Sequence, residues 1–322
     1  MMELILRTRR ELSKELTHYA AKQSRKLKKT LKIIIRSKNA EAVHDFRKTT
    51  RDLQSLVDAC RIRRSIGRTK KIRSDLKSWR HALSGWRDGD VMIKLVEQAQ
   101  HKAHHAYERE VWPVIAERTA KQRERALKKF LKNPDSQKIR KLHTRIKALV
   151  KHRARVEPMA DNLGQLLQQA WRKLNIAIKQ FEHVPDVTNL HAVRIKAKSL
   201  RYALNLQQRF YPNKKLESSA ILLKDIQDRI GKWHDELILS QLIRATLLDS
   251  HAMSDPNAAK VTADIKEQEL AMAESARHYL FTMQETEQYK RLRRVVSAAI
   301  YATSSNDDAE APMHQNVIGP IN

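Results

Sequence analysis

Two segments of this chain carry the same pattern, in which a histidine is followed by two cations at steps of three and then four residues. The members of the two patterns, displaced by 147 positions, are His44, Arg47, Arg51, His191, Arg194 and Lys198. The apolar positions between them repeat as well, since Val43 and Phe46 correspond to Leu190 and Val193. A repeat of residue type at one fixed displacement predicts two related structural units within the chain.

A second shared feature lies 44 residues after each histidine. Trp86 and Asp88 stand there in the first unit, and Trp233 and Asp235 stand at the equivalent positions of the second. We interpret both as tryptophan–aspartate corners. The sequence therefore predicts two bundle halves, each with one cationic helix and one corner, that face each other across an approximate twofold axis.

The chain is expected to be almost entirely helical. Only 6 glycines and 8 prolines occur in 322 residues, too few for the turns of many short strands. Apolar residues at steps of three and four, such as Val43, Phe46 and Leu53, predict amphipathic helices whose apolar stripe faces a core. The predicted fold class is all-α, with a first half over about residues 1–155 and a second over about 156–302.

Turn-forming residues and proline divide the chain into predicted helices. The expected spans are about 2–36, 43–63, 65–83, a helix that runs past residue 105 toward 113, 137–156, 158–183, 188–210, 218–250 and a final pair over 258–302. Residues 84–88 are expected to bend, with Asp88 as the N-cap or a first-turn acid of the next helix. The polar segment 303–322 is expected to be disordered.

The charge balance points to a polyanionic partner. Lysine and arginine number 64 against 36 aspartates and glutamates, which gives a formal net charge of +28. A field of that sign concentrates nucleic acid, polyphosphate or an anionic membrane face. The single cysteine, Cys60, suits a reducing compartment, and no uncharged apolar run is long enough for a signal peptide or a membrane span. We expect a cytoplasmic protein that is not bound to a membrane.

The repeated cations have the chemistry of a phosphate site. The planar fork of arginine suits phosphate oxygens, and lysine adds a mobile point charge. His44 and His191 are expected either to contact the ligand or to orient neighbouring arginines, and the sequence leaves both roles open. Asp88 and Asp235 are expected to support the site as helix caps or as clamps on an arginine. The helix at 137–153 has the densest charge and predicts a secondary basic surface, formed by Arg140, Lys141, Arg145 and Lys147.

At these residues the chain resembles the CHAD family, the conserved histidine α-helical domain. Residues 43–53, VHDFRKTTRDL, are similar to the first family signature, and residues 190–204, LHAVRIKAKSLRYAL, are similar to the second. The resemblance implies two antiparallel four-helix bundles whose basic central surface binds inorganic polyphosphate, and in some members association with polyphosphate granules. The polyphosphate-binding residues that it marks are His44, Arg47, Lys48, Arg51, His191, Arg194, Lys196, Lys198 and Arg201. Asp52, Gln54 and Ser199 depart from the signatures, which usually have basic residues there.

Other functions are less well matched by the residues. A triphosphatase would need an alternating E-x-E-x-K strand, which is absent, as is a glycine-rich phosphate loop, so the chain is expected to be a binding protein and not an enzyme. His101 and His105 stand four residues apart, yet no third metal ligand is evident, so no metal or cofactor is expected. The alternatives that stay open are a generic polyanion-binding or nucleic-acid-binding helical protein, and an accessory to a triphosphatase. The oligomeric state, the preferred polyphosphate length and any need for a divalent ion are not encoded in these patterns.

Overall fold

The regular structure of the described chain is all α-helix, which confirms the predicted fold class. The structure is a computed structural model, and it describes residues 9–60, 66–101, 106–132, 136–156, 159–212, 214–249 and 256–304. The helices are α1 (Arg9–Ser37), α2 (Ala40–Ala59), α3 (Ile66–Ala82), α4 (Ser84–His101), α5 (Ala106–Leu131), α6 (Ser136–Val156), α7 (Met159–His183), α8 (Val187–Phe210), α9 (Lys214–Asp249), α10 (Pro256–Glu285) and α11 (Glu287–Ser304).

The two helices that carry the repeated patterns begin in the same way. Asn39 caps α2 by accepting a hydrogen bond from the backbone N–H of Ala42 at 2.8 Å. Asp186 caps α8 by accepting one from the N–H of Asn189 at 2.7 Å. A side-chain oxygen at this position satisfies a backbone donor that the first turn leaves unpaired. The two caps are themselves 147 residues apart, so the repeat extends to the start of the helix.

Eight of the described helices pack as two groups, while α4, α5 and α10 share a smaller core with α9 that includes Val96, Ile115 and Ile265. The first helix group is α1, α2, α3 and α6, around a core that includes Leu16, Phe46 and Ile146. The second helix group is α7, α8, α9 and α11, around Leu174 and Val193 among others. The twofold axis between the groups stays a prediction.

The two groups share part of one core. Leu206 and Phe210, at the end of α8, are buried in the core of the first helix group, as are Met159 and Leu163 at the start of α7. Phe210 meets the ring of Tyr19 edge-on, with ring centroids 5.8 Å apart. Burial of apolar surface therefore fixes α8 against α1 and α2, and this contact places the cationic sides of α2 and α8 next to each other.

The bend predicted at residues 84–88 is wrong. Helix α4 already begins at Ser84, so residues 84–88 are helical and Asp88 is not a cap. The equivalent segment, 230–235, lies inside the continuous helix α9. The glycines in these segments lower helix propensity by only about 1 kcal/mol each, which packing of the flanking apolar residues outweighs.

Two further expectations differ from the described structure at helix ends. One helix was expected to run past residue 105 toward 113. In the structure, α4 ends at His101 and Pro113 lies inside α5. Helix α11 extends to Ser304, and the rest of the segment expected to be disordered lies outside the described residues.

A close approach between α4 and α5 gives a stability prediction. A Cβ atom at Gly89 would lie 2.6 Å from the Cβ of Arg123, which a change of rotamer does not move. We expect Gly89→Ala to lower the free energy of unfolding by about 1–3 kcal/mol, even though alanine favours a helix more than glycine does. Gly67→Ala is the matched control, because a Cβ there meets no atom within 4 Å. Chemical denaturation of the two variants would contradict the packing if both were as stable as the wild type.

Candidate anion-binding site

The contact between α2 and α8 gathers cations from both helix groups into one place. We call this set the central cluster, and it consists of Arg47, Arg51, Arg80, His191, Arg194, Lys198, Arg201 and His234. Arg80 belongs to α3 and His234 to α9, and the others lie on α2 and α8. The side chains of Arg47 and Arg51 each interact electrostatically with Arg194 across the boundary between the groups. The two segments that repeat in sequence are therefore neighbours in space.

Positive charge is crowded and partly removed from water in the central cluster. Burial lowers the pKa of Lys198 to about 7, and the adjacent Arg194, Arg51 and Arg201 lower it further. Burial likewise lowers the pKa of Arg80 to about 10, with Arg51 and Arg47 as the next causes. Both desolvation and like charge disfavour the cationic form. The fold therefore keeps in place a concentration of charge that an anion would stabilise.

Two aspartates lie beside arginines of the cluster, Asp88 on α4 and Asp235 on α9. The Asp235 carboxylate lies 3.7 Å from a terminal nitrogen of Arg194. Burial raises the pKa of Asp88, and Arg47 is the largest opposing influence. Burial raises the pKa of Asp235, and Arg194 opposes that shift most. Of the two supporting roles predicted for these aspartates, the geometry matches the clamp on an arginine and not the helix cap.

Several donors in the cluster have no protein partner. The Nε atoms of Arg194 and Arg201 and the Nδ1 atom of His234 are buried without a hydrogen-bond partner in the part of the chain that the structure describes. A buried donor left unsatisfied costs about 1–3 kcal/mol. An anion that accepts hydrogen bonds from these groups would recover that cost.

Two histidine rings in tilted contact, with an interplanar angle of 44°, lie at one side of the cluster. The Nδ1 atom of His191 is 3.2 Å from the Nε2 atom of His234, and the ring centroids are 4.5 Å apart. Burial lowers the pKa of His234 to about 4, and Arg194 and His191 contribute to the same shift. Because burial also lowers the pKa of His191, both rings are neutral near pH 7, and one donates a hydrogen bond to the other. When His191 donates from Nδ1, Nδ1 of His234 carries the proton of that ring and is free to donate to an anion.

The arginines of the first helix group are held by backbone and amide oxygens. Arg47 donates from Nη1 to the carbonyl oxygen of Arg80 at 2.9 Å, and Arg80 donates to the carbonyl of Thr50 and to the side chain of Gln54. These bonds tie α2 to α3 and fix two guanidinium groups. Gln54, which replaces a basic residue of the family signature, is therefore an acceptor for Arg80.

A cavity of about 480 Å³ adjoins the cluster between α2, α3, α7 and α8. Its lining includes Arg51, Arg73, Lys173, Lys196 and Tyr202. Arg51 and Tyr202 belong to both the cavity and the surroundings of the cluster, because Arg51 interacts with the Tyr202 side chain. Asp58 also lines the cavity and pairs with Arg73 at 2.8 Å, so Lys173 and Lys196 are the cations that extend the cluster toward α7.

Comparison with known proteins identifies the family. A family model of the CHAD domain matches residues 18–244, which is more than half of the chain. The chain belongs to the CHAD family. The matched range contains every residue of the central cluster.

Solved structures agree with this assignment at the level of the fold. The crystal structure of the CHAD domain from the plant Ricinus communis is 19% identical, covers 90% of this chain and 92% of its own, and has a TM-score of 0.53. PptA from Streptomyces chartreusis is 14% identical, covers 85% of this chain and 99% of its own, and has a TM-score of 0.61. Identities this low show a shared fold and no more. None of the curated proteins matches this chain.

The residues predicted as polyphosphate-binding occupy three settings in this CHAD domain. Those in the central cluster are Arg47, Arg51, His191, Arg194, Lys198 and Arg201. Lys196 lines the adjoining cavity. His44 and Lys48 are exposed on α2, and the structure gives neither of them a place in the cluster. Asp52, between Lys48 and Arg201, has a pKa that burial raises to about 6.

The secondary basic surface of the CHAD domain is divided. Arg145 forms an ion pair with Asp75 of α3 at 2.8 Å, whereas Lys147 lies on the opposite flank of α6, close to His143. Arg140 and Lys141 are exposed. The four residues therefore do not form one surface, because Arg145 and Lys147 are two positions apart and residues at that spacing do not share a helix face.

Sequence reasoning missed three members of the site. Neither Arg80 nor Lys173 received a role from the sequence, and His234 was noted only as part of the second tryptophan–aspartate corner. A signal existed for Arg80, because Gln227 lies 147 residues later, so the two halves carry long polar side chains at matching positions. Polar residues at matching positions beside the apolar stripes of two helices indicate that both helices contribute polar side chains to the interior of the protein.

Two other kinds of site were sought in the described residues. No group of three or more histidine, cysteine, aspartate or glutamate side chains there could hold a metal ion. His104 and His105 lie outside those residues. No helix in the described ranges is long and apolar enough to cross a membrane.

Proposed function

We propose that this CHAD domain binds inorganic polyphosphate at the central cluster and does not catalyse a reaction on it. The observation that carries the proposal is the set of buried, unpartnered donors on Arg194, Arg201 and His234, surrounded by cations from both helix groups. The site supplies hydrogen-bond donors and positive charge, and a bound anion would supply the matching acceptors. Polyphosphate is the ligand that the family resemblance also implies.

Inorganic polyphosphate suits the chemistry of the cluster. Its oxygens accept the paired donors of arginine, and a thin, flexible chain can follow cations from the cluster into the cavity beside Lys196. Charge-assisted hydrogen bonds contribute about 1.5–3 kcal/mol each where water is excluded. Affinity is expected to fall steeply with salt, because bound cations release counterions from the chain.

Nucleic acid is the second candidate, favoured by the net charge of +28. Base recognition without sequence preference usually needs exposed aromatic rings that stack on bases. Phe46 and Trp86 are buried in the core, and Tyr202, the aromatic residue at the cluster, is only 9% exposed. The described site thus offers contacts to phosphate and little surface for a base.

Competition at near-physiological salt tests this proposal. Labelled long-chain polyphosphate bound to the protein would be challenged with unlabelled polyphosphate, single-stranded DNA, RNA and pyrophosphate at matched phosphate concentration. We expect displacement by polyphosphate at concentrations roughly 10-fold or more below those of either nucleic acid, because nucleic acid carries one phosphate for each bulky nucleoside. Equal displacement by DNA or RNA would leave only generic polyanion binding.

This binding mode also suggests a location. A protein with affinity for polyphosphate would associate with cytoplasmic polyphosphate granules wherever such granules form. The proposed location therefore follows from the ligand.

A further inference from the structure

A second basic groove lies between α1 and α6, on the first helix group. Its lining includes Arg10, Lys14 and His18 of α1 and Lys151 of α6, and its volume is about 790 Å³. Ser13, Thr17, Ala21 and Ala154 supply the remaining lining, so small side chains separate the charged ones. None of these residues belongs to the central cluster.

The cationic strip continues past the groove along the same two helices. His143 of α6 lies 2.8 Å from the hydroxyl of Ser24, between Nδ1 and Oγ. Burial lowers the pKa of His143, and Lys28, Lys147 and Arg25 add to the shift because all three lie nearby. Residues 10 to 28 of α1 span about 27 Å at 1.5 Å per residue. The strip is thus long enough for several successive phosphates.

Four cations of this strip have no ion-pair partner among the residues that the structure describes. Within the described ranges, Arg10, Lys14, Lys147 and Lys151 form no ion pair, and no carboxylate is among the residues that line the groove. Solvated helix faces ordinarily mix both signs of charge. Cations on two packed helices, whose axes are about 8–10 Å apart, face one ligand from both sides.

We propose that the groove between α1 and α6 is a second binding site for inorganic polyphosphate, independent of the central cluster. The inference rests on the proposed function for the choice of ligand, although the groove itself is defined by different residues. Its lining has no aromatic side chain, and a groove between two packed helices is too narrow for a nucleic-acid duplex. A bare phosphate chain needs neither stacking surface nor width. The site is weaker than the central cluster, because its lysines are exposed and screened by salt.

Titration with short-chain polyphosphate at low salt tests the second site by its stoichiometry. The wild-type protein is expected to show two classes of site. The variant Lys14→Gln with Lys147→Gln and Lys151→Gln should lose the weaker class and retain the stronger with its affinity changed less than about threefold, since well-separated sites act independently. The matched control is Lys179→Gln with Lys260→Gln and Lys266→Gln, which removes the same charge from exposed positions on α7 and α10 and should retain both classes.

The outcomes separate this inference from the proposed function. If the control variant also lost the weaker class of site, the loss would be a general effect of charge and the second site would be overturned. If the groove variant kept both classes of site, the second site would likewise be overturned. A groove that takes single-stranded RNA and not polyphosphate would overturn the choice of ligand. Arg47→Ala with Arg194→Ala should remove only the stronger class. If that variant keeps the stronger class, the proposed central site fails while the groove result still stands.

Discussion

Alanine at both Arg47 and Arg194 is expected to weaken polyphosphate binding by about 100-fold. Each arginine contributes roughly one charge-assisted contact, and about 1.4 kcal/mol for each contact corresponds to a tenfold change in the dissociation constant. The two residues come from different helix groups and interact electrostatically across the boundary between them. Titration at several salt concentrations should also give a shallower salt dependence, because fewer counterions are released.

The fold is expected to survive this double substitution. Burial lowers the pKa of Arg47, which means that the folded protein already bears a cost for keeping that charge in place. The variant also loses the hydrogen bond of Arg47 to Arg80 and the ion pair of Arg194 with Asp235, so we expect a modestly lower melting temperature with an unchanged helical circular dichroism spectrum. Arg172→Ala with Arg291→Ala is the matched control, since both residues are exposed on α7 and α11. A central site would be contradicted if the Arg47 and Arg194 variant bound polyphosphate with unchanged affinity. It would also be contradicted if the control variant lost as much affinity.

Polyphosphate affinity is expected to fall as pH rises through about 7, because Lys198 loses its charge there. The sign follows from the free protein, in which burial and like charges hold the pKa well below the usual value for lysine. A bound anion favours the charged amine and raises its pKa again, so binding takes up a proton between the two values. Above pH 7 each further pH unit costs up to tenfold in affinity until the pKa of the complex is reached.

Lys198→Arg should remove this pH dependence. Arginine remains charged across the range, whereas the neighbouring His191 and His234 have lowered pKa values and stay neutral above pH 7. Calorimetry in two buffers of different ionisation enthalpy would measure the proton uptake directly. Lys179→Arg, on the exposed surface of α7, should retain the wild-type profile. A flat profile in the wild-type protein would show that Lys198 is not part of the site.

The sequence predicted the fold class and the meeting of the two repeated segments because both depend on periodicity. Apolar steps of three and four residues place Val43 and Phe46 of α2 in one core and Val193 of α8 in the other, and this fixes which flank of each helix is free. The caps at Asn39 and Asp186 belong to the same local code. Features that depend on residues within one or two helical turns can therefore be predicted from the sequence.

The sequence did not predict features that depend on the approach of distant helices. Arg80 enters the site because α3 packs beside α2. Its hydrogen bonds to Thr50 and Gln54 join residues about 30 positions apart in the chain, so the spacing of residues within one helix does not predict them. His44 matches the family signature, yet it lies on α2 where the helix is exposed, whereas its counterpart His191 contacts the ring of His234. The two halves of the pattern are equivalent in sequence and unequal in surroundings, because their partners on α4 and α9 differ.

The reactivity of Lys198 toward an acylating reagent is the most direct test of polyphosphate binding at the central cluster. Because the pKa of this amine lies near 7, a far larger share of it is neutral at pH 7 than of an ordinary lysine, so we expect it to label faster than an ordinary lysine in the free protein. Saturating polyphosphate is expected to slow the labelling of Lys198 by at least about tenfold, by covering the amine and by raising its pKa, while exposed Lys179 labels at an unchanged rate. Mass spectrometry of peptides would measure both rates in one sample. Equal labelling of Lys198 in the free and the polyphosphate-saturated protein would contradict the proposed site.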